Sequence, residues 1–186
     1  MTKDERIEIP LSKIKLTLML FGSIAFVAGG IGMVTYPNGF ITPYRNYNPV
    51  LVFVLGLASI IFFGVCLVNI AKKLTDNAPG LIINDQGIYD NSSAVSAGLI
   101  PWTDILELRI ESVVNQKFII IIVSNPNQYI NNQTGALNKM AMGRNYKSFG
   151  SPISISANGL KTNFEELYRL LENELKNRSE LKTTNR

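Results

Sequence analysis

Histidine is absent and cysteine occurs once, as Cys66. The first absence removes a His general base, a His-containing triad and every imidazole metal ligand. The second removes an internal disulfide and a thiolate metal cluster. Charge is also scarce: 17% of residues are Asp, Glu, Lys or Arg, where a soluble domain carries about a quarter. The shortage is local. Residues 16–34 and 50–70, 19 and 21 positions, hold none of the four, and the remainder has ordinary polarity. That distribution does not read as an ordinary soluble globular protein, nor as a chain made wholly of membrane spans.

Both runs are long enough to cross hydrocarbon at about 1.5 Å per helical residue. A secretory signal is the competing reading of the first. Its apolar stretch exceeds the usual signal core of about 7–15 residues, and its glycines lie inside the stretch. Between the runs, Pro37, Pro43 and Pro49 oppose a helix, while Tyr36, Phe40, Tyr44 and Tyr47 suit a membrane–water interface. Lys3, Arg6, Lys13 and Lys15 precede the first run and Lys72 and Lys73 follow the second, against Arg45 alone between them. The asymmetry predicts a hairpin with both termini cytoplasmic. Gly22, Ala25, Gly29 and Gly32 fall at helical spacing and predict a small face for close packing. Gly56 and Ser59 are candidates for the facing surface; a seam with another copy is the alternative.

The expected organisation is an N-terminal segment and hairpin over 1–78, a domain over 79–178 and a polar tail over 179–186. In the domain, LIIN followed by Asp85-Gln86-Gly87 and Ile88-Tyr89 predicts a tight hairpin. Leu106, Leu108 and Ile110 alternate with Glu107, Arg109 and Glu111, predicting a half-buried strand. The run FIIIIV over 118–123 predicts a strand covered on both faces, and Ile153 and Ile155 another. Thr162-Asn163-Phe164-Glu165 matches a capping box with Thr162 as N-cap. Phe164, Leu167, Leu170, Leu171 and Leu175 then give an amphipathic final helix. In 125–148, Pro126 can open a helix, which Gly135 and the many Asn weaken. Lys139, Arg144 and Lys147 make that stretch locally basic with no acidic residue beside them, the candidate contact for an anionic lipid surface. From residue 72 onward there are 13 basic and 11 acidic side chains, a balance that gives no support to nucleic acid as a partner.

The chain resembles bacterial two-span membrane proteins bearing a pleckstrin-homology-like domain. The resemblance lies in Pro79-Gly80-Leu81-Ile82-Ile83 with Asp85-Gln86-Gly87-Ile88, in Gly98-Leu99-Ile100-Pro101-Trp102-Thr103-Asp104-Ile105, and in Gly150-Ser151-Pro152-Ile153-Ser154-Ile155. It implies an α+β fold, a strongly bent antiparallel sheet of about seven strands capped by the C-terminal helix, in a bacterial cytoplasmic membrane. Pro101, Trp102 and Asp104 have structural roles in such a fold: limiting pairing, filling the core and capping a turn. Many lipid-reading pleckstrin-homology domains carry Lys and Arg around the first hairpin, whereas the turn Asn84-Asp85-Gln86-Gly87 has none. The expected function is a non-enzymatic membrane scaffold, without cofactor or metal, that meets a protein partner or anionic headgroups. An accessory or immunity-type subunit packing through its spans is the alternative, and a membrane enzyme a third reading with no nucleophile–base cluster to carry it.

Overall fold

The computed structural model describes residues 6–40 and 48–184, with side chains through Ser179. Lys3, Pro43, Tyr44, Arg45 and Tyr47 lie outside the described residues. The chain divides into two compact units: Lys13–Asn77, and Met1–Ser12 with Ala78–Arg186.

The first unit is an antiparallel helix pair, α1 (Lys13–Thr35) and α2 (Pro49–Thr75), joined through a 3-10 turn at Pro37–Phe40. Asn48 caps α2 by accepting the Val50 N–H at 2.9 Å, and Pro49 occupies the first turn, where its missing N–H costs nothing. Both helices are long and apolar enough to cross a membrane, and only 11% of each apolar window is buried within the protein. Leu18, Phe21, Phe26 and Phe62 are among the exposed residues. A core helix of a soluble domain would have covered them.

The helices meet at Gly30 and Gly56. A Cβ on Gly30 would lie 2.9 Å from the Gly56 carbonyl oxygen, and one on Gly56 would lie 2.8 Å from that of Gly30. Ser59 donates to the Phe26 carbonyl at 3.0 Å and Phe26 stacks on Phe63 at 4.2 Å. Gly56 and Ser59 thus face α1 as expected, but the face they meet differs. Leu16, Ser23 and Gly30, seven residues apart, are the buried positions of α1. Gly22, Ala25 and Gly29 are exposed, and neither Gly22 nor Gly29 has an atom near its Cβ position. Gly32 approaches only Phe40, at 3.9 Å. The seam follows the residue whose backbone meets Gly56, about 100° around the helix from Gly29.

The second unit resumes at Ala78, beside the expected boundary, but it also takes in the N-terminal segment that was expected to go with the hairpin. Ile7–Ile9 is its first strand, β1, paired antiparallel with β2 (Leu81–Ile83) in the register Ile7↔Ile83. β3 (Gly87–Asp90) and β4 (Gly98–Pro101) complete a sheet in the order β1-β2-β3-β4. β5 (Ile105–Val113), β6 (Gln116–Val123) and β7 (Ile153–Ile155) form a second, in the order β5-β6-β7. Leu11 and Leu160 form a bridge, flanked by Ser12 N–H to the Gly159 carbonyl and Lys161 N–H to the Pro10 carbonyl. The helix pair is therefore an insertion between β1 and β2. The turn Asn84–Gly87 joins β2 to β3 in the tight hairpin that its sequence predicts. Gly87 is required where β3 meets β4, because a Cβ there would collide with the Ile100 carbonyl.

β6 is covered on both faces as its sequence predicts: Ile119, Ile120 and Ile121 are all fully buried, and successive residues point to opposite faces. α5 (Phe164–Thr184) packs against β6, burying Leu167 and Leu171. α4 (Ala136–Phe149) packs against β7. β5 differs from its expected half-burial. Leu106 is 63% exposed and Ile110 46%. A register shift at Ile105/Glu107 turns Leu106 out, and β5 is an edge strand.

The start of α5 lies one residue later than predicted. Asn163, not Thr162, is the N-cap, its Oδ1 accepting the Glu166 N–H at 2.9 Å. Glu165 instead pairs with Lys117 at 3.0 Å, while Thr162 donates to Glu166 at 3.1 Å. An Asn carboxamide caps at least as well as Thr. At the other end, the expected polar tail is helical through Thr184.

Candidate functional site

Between β6 and β7 the chain forms two helices, α3 (Pro126–Asn131) and α4, broken at 132–135. Pro126 starts α3 as its fixed φ favours. Tyr129 of α3 is buried and donates its hydroxyl to Asp104 Oδ2 at 2.8 Å. Burial, reinforced by the hydrogen bond to Asp104 and by its charge, holds the Tyr129 phenol above its ordinary pKa. Asp104 thus fixes α3 with its carboxylate and closes the turn with its backbone, the N–H donating to the Pro101 carbonyl at 3.0 Å. That differs from a carboxylate turn cap.

Trp102, in the same turn, donates Nε1–H to the Asn84 carbonyl at 2.8 Å. Arg178 of α5 lies over its ring at 5.1 Å and pairs with Asp85 at 2.9 Å and Glu174 at 3.7 Å. Pro101 ends β4 opposite Gly87. The three residues join the sheet to α3 on one side and to α5 on the other, which is structural work.

α4 is held by its asparagines. Asn145 donates to Ser154 Oγ at 3.1 Å, Asn138 to the Ala94 carbonyl at 3.4 Å, and Met142 is buried between them. The opposite face carries Leu137, Met140, Arg144 and Lys147, at intervals of 3, 4 and 3. Leu137 is 63% exposed and Met140 66%, and both cations are exposed. No acidic residue occurs in 125–148 to neutralise them. Of the three predicted lipid-contact residues the structure brings together Arg144 and Lys147. Lys139 is exposed but lies roughly 140° around the helix from Arg144. Leu137 and Met140 were not read as part of the site. Their spacing to Arg144 was the available signal, hidden because Gly135 obscured the helix.

Arg144 also borders an open cavity of about 360 Å³, lined by Val113, Phe118, Asn145, Ser148, Phe149 and Ser154. Among the described residues no group of three or more His, Cys, Asp or Glu is arranged to hold a metal ion. Asp90 is buried in the sheet unit and is engaged locally, accepting from Ser92 Oγ at 2.6 Å, Ser92 N–H at 2.9 Å and Ala97 N–H at 3.0 Å. It holds the loop to which Asn138 and Gln133 attach. The chain matches no protein-family model, no curated protein and no solved structure.

Proposed function

We propose that this chain is a non-enzymatic, membrane-anchored interaction protein of the pleckstrin-homology-like class. In this reading α1 and α2 cross the bilayer as a hairpin, the sheet unit lies on the cytoplasmic side, and the α4 stripe rests on anionic headgroups. The register Ile7↔Ile83 carries it. Strands on either side of the apolar pair belong to one folded unit, so the ends of both helices return to one side of the membrane. The excess of Lys and Arg beside those ends makes that side cytoplasmic. A stripe with apolar side chains between cations suits a headgroup layer, where each juxtamembrane cation contributes about 1 kcal/mol and salt screens the effect.

The test uses the full chain with Cys66→Ser and Met140→Cys, labelled with an environment-sensitive dye and reconstituted in nanodiscs. Anionic lipid should shift the emission to the blue, high salt should reverse the shift, and Arg144→Gln with Lys147→Gln should remove it. Emission that ignores lipid charge would overturn the headgroup contact.

A second reading, an accessory subunit of another membrane protein, is favoured by the open face of Gly22, Ala25 and Gly29, which the hairpin leaves unused. Gly29→Leu that keeps the monomer stable but releases a co-purifying membrane protein would select it.

A further inference from the structure

We propose that two copies of this chain pair edge to edge through β5, joining their three-stranded sheets into one of six strands. β5 is nine residues long and lies at the edge of its sheet. Long edges are usually guarded by charged side chains, Lys above all, by Pro, a bulge or a covering element; the charges of β5, Glu107, Arg109 and Glu111, alternate in sign, so a strand of matching order can pair with them. β5 (ILELRIESV) holds neither Lys nor Pro, and its one irregularity sits at its start, between Ile105 and Glu107.

The free backbone groups can be assigned from the turn. Val114 and Asn115 have φ of 47° and 61°, the left-handed pair of a two-residue hairpin turn. The flanking residues Val113 and Gln116 are therefore a hydrogen-bonded pair, and bonded and non-bonded pairs alternate from there. Glu111 and Arg109 bond to β6, while Leu108, Ile110 and Ser112 turn their N–H and C=O groups to the open edge. No backbone partner is present for them among the described residues.

Side chains then choose the partner and the register. Arg109 lies between Glu107, which it contacts at 3.0 Å, and Glu111, whose charge also acts on it. Any antiparallel register with its two-fold axis on a residue keeps apolar residues on one face, and the axes at Leu108, Arg109 and Ile110 overlap the strand most fully. With the axis at Arg109, Glu107 meets the partner's Glu111 on both sides and Arg109 meets its own copy, which is repulsive. With the axis at Leu108, the ladder runs into the irregularity at Leu106. With the axis at Ile110, Arg109 meets the partner's Glu111 twice, Ile110 meets the partner's Ile110, and Leu108 meets the partner's Ser112. In this register all the free groups of Leu108, Ile110 and Ser112 are satisfied and the paired stretch, 107–113, is clear of the bulge. The exposed Ile110 side chains of the two copies meet at the axis and cover part of each other. A strand that presents both charges and an apolar centre in a self-complementary order fits a second copy of itself.

The test uses the full chain in mild detergent and in lipid nanodiscs, with Cys66→Ser as background. Ile110→Cys should give a cross-linked dimer with a short thiol–thiol reagent, since bonded antiparallel pairs stand about 5.5 Å apart at Cα. Leu108→Cys or Ser112→Cys alone should not cross-link, but a mixture of the two should. Arg109→Glu should raise the dimer dissociation constant about tenfold, through two like-charge pairs. Arg109→Glu combined with Glu111→Arg should restore it. A monomer at all concentrations, strongest cross-linking at Leu108→Cys, or a charge exchange without rescue would each overturn the proposal. So would a β5 edge that is occupied by a different chain in a one-to-one complex.

Discussion

Lys13 illustrates how far a residue's role can depart from its contribution to a count. In the charge tally it is one of four cations before the first apolar run, 16–34, and its meaning is orientation. In the structure its ammonium donates to the Leu74 and Asp76 carbonyls, both at 2.6 Å, and to that of Lys73 at 3.4 Å. These carbonyls lie at the C-terminal end of α2 and at its cap residue Asp76, where the helix dipole favours a cation. Nothing in the sequence pairs positions 60 residues apart, so this contact was not legible. Gly30 was missed for a related reason. The interval pattern marks Gly22, Ala25, Gly29 and Gly32 as one face but does not say whether α2 or lipid receives it. Gly30→Leu should therefore destabilise the helix pair by about 1–3 kcal/mol through overpacking, while Gly29→Leu leaves it unchanged in detergent unfolding. Equal loss in both variants would contradict the assigned seam. At Tyr129 the prediction concerns pH. Its pKa is raised in the folded state, so its contribution is complete below the unfolded value of about 10 and lost as pH rises through the folded one. Tyr129→Phe should remove that alkaline fall and lower stability at neutral pH by about 1.5–3 kcal/mol, the value of a hydrogen bond to a charged group. Denaturant titrations of both proteins from pH 8 to 11 check the sign.

Among the elements, those whose own periodicity decides their environment were readable. The isoleucine run of β6, the alternation at Ile153 and Ile155, and the leucine stripe of α5 all stand where the pattern places them. β5 shows the limit. Its alternation is real, but burial needs a neighbour on each side, and strand order is a property of the sheet rather than of the strand. β1 shows another limit: three residues, Ile7–Ile9, are too short a run to read as a strand before its partner 74 residues later is known. α4 was half legible, its cations visible and its helix concealed by Gly135. Its docking side gives a direct check. Met142 is 1% exposed, so Met142→Ala should cost about 2–5 kcal/mol. Met140→Ala, on the opposite face, should stay within about 0.5 kcal/mol of the parent. Thermal unfolding of the two variants should separate them; similar losses would mean that the stripe of Leu137, Met140, Arg144 and Lys147 is not the outer face.

For the whole molecule, the insertion of the helix pair inside the sheet determines what an independent domain must contain. A boundary drawn at residue 78 gives a fragment, 79–186, in which β2 lacks the strand it pairs with at Ile7–Ile9. It also lacks Leu11, which bridges to Leu160, and the Pro10 and Ser12 backbone groups that pair with Lys161 and Gly159. Ile9 and Leu11 are buried, at 7% and 6% exposure. Losing two such side chains together with a strand's hydrogen bonds removes several kcal/mol, comparable to the whole stability of a small domain. The fragment 79–186 should therefore express as an aggregating or partly folded species. Residues 1–12 joined to 78–186 by a flexible Gly/Ser linker of about ten residues should instead give a soluble, cooperatively unfolding protein. Circular dichroism and denaturant unfolding of the two separate the cases. A cooperatively folded 79–186 would show that β1 is dispensable and that the expected boundary at 78 was right. A soluble joined protein beside a failed fragment would mean that a single folded unit holds both chain segments that flank the helix pair, the condition on which the proposed hairpin topology rests.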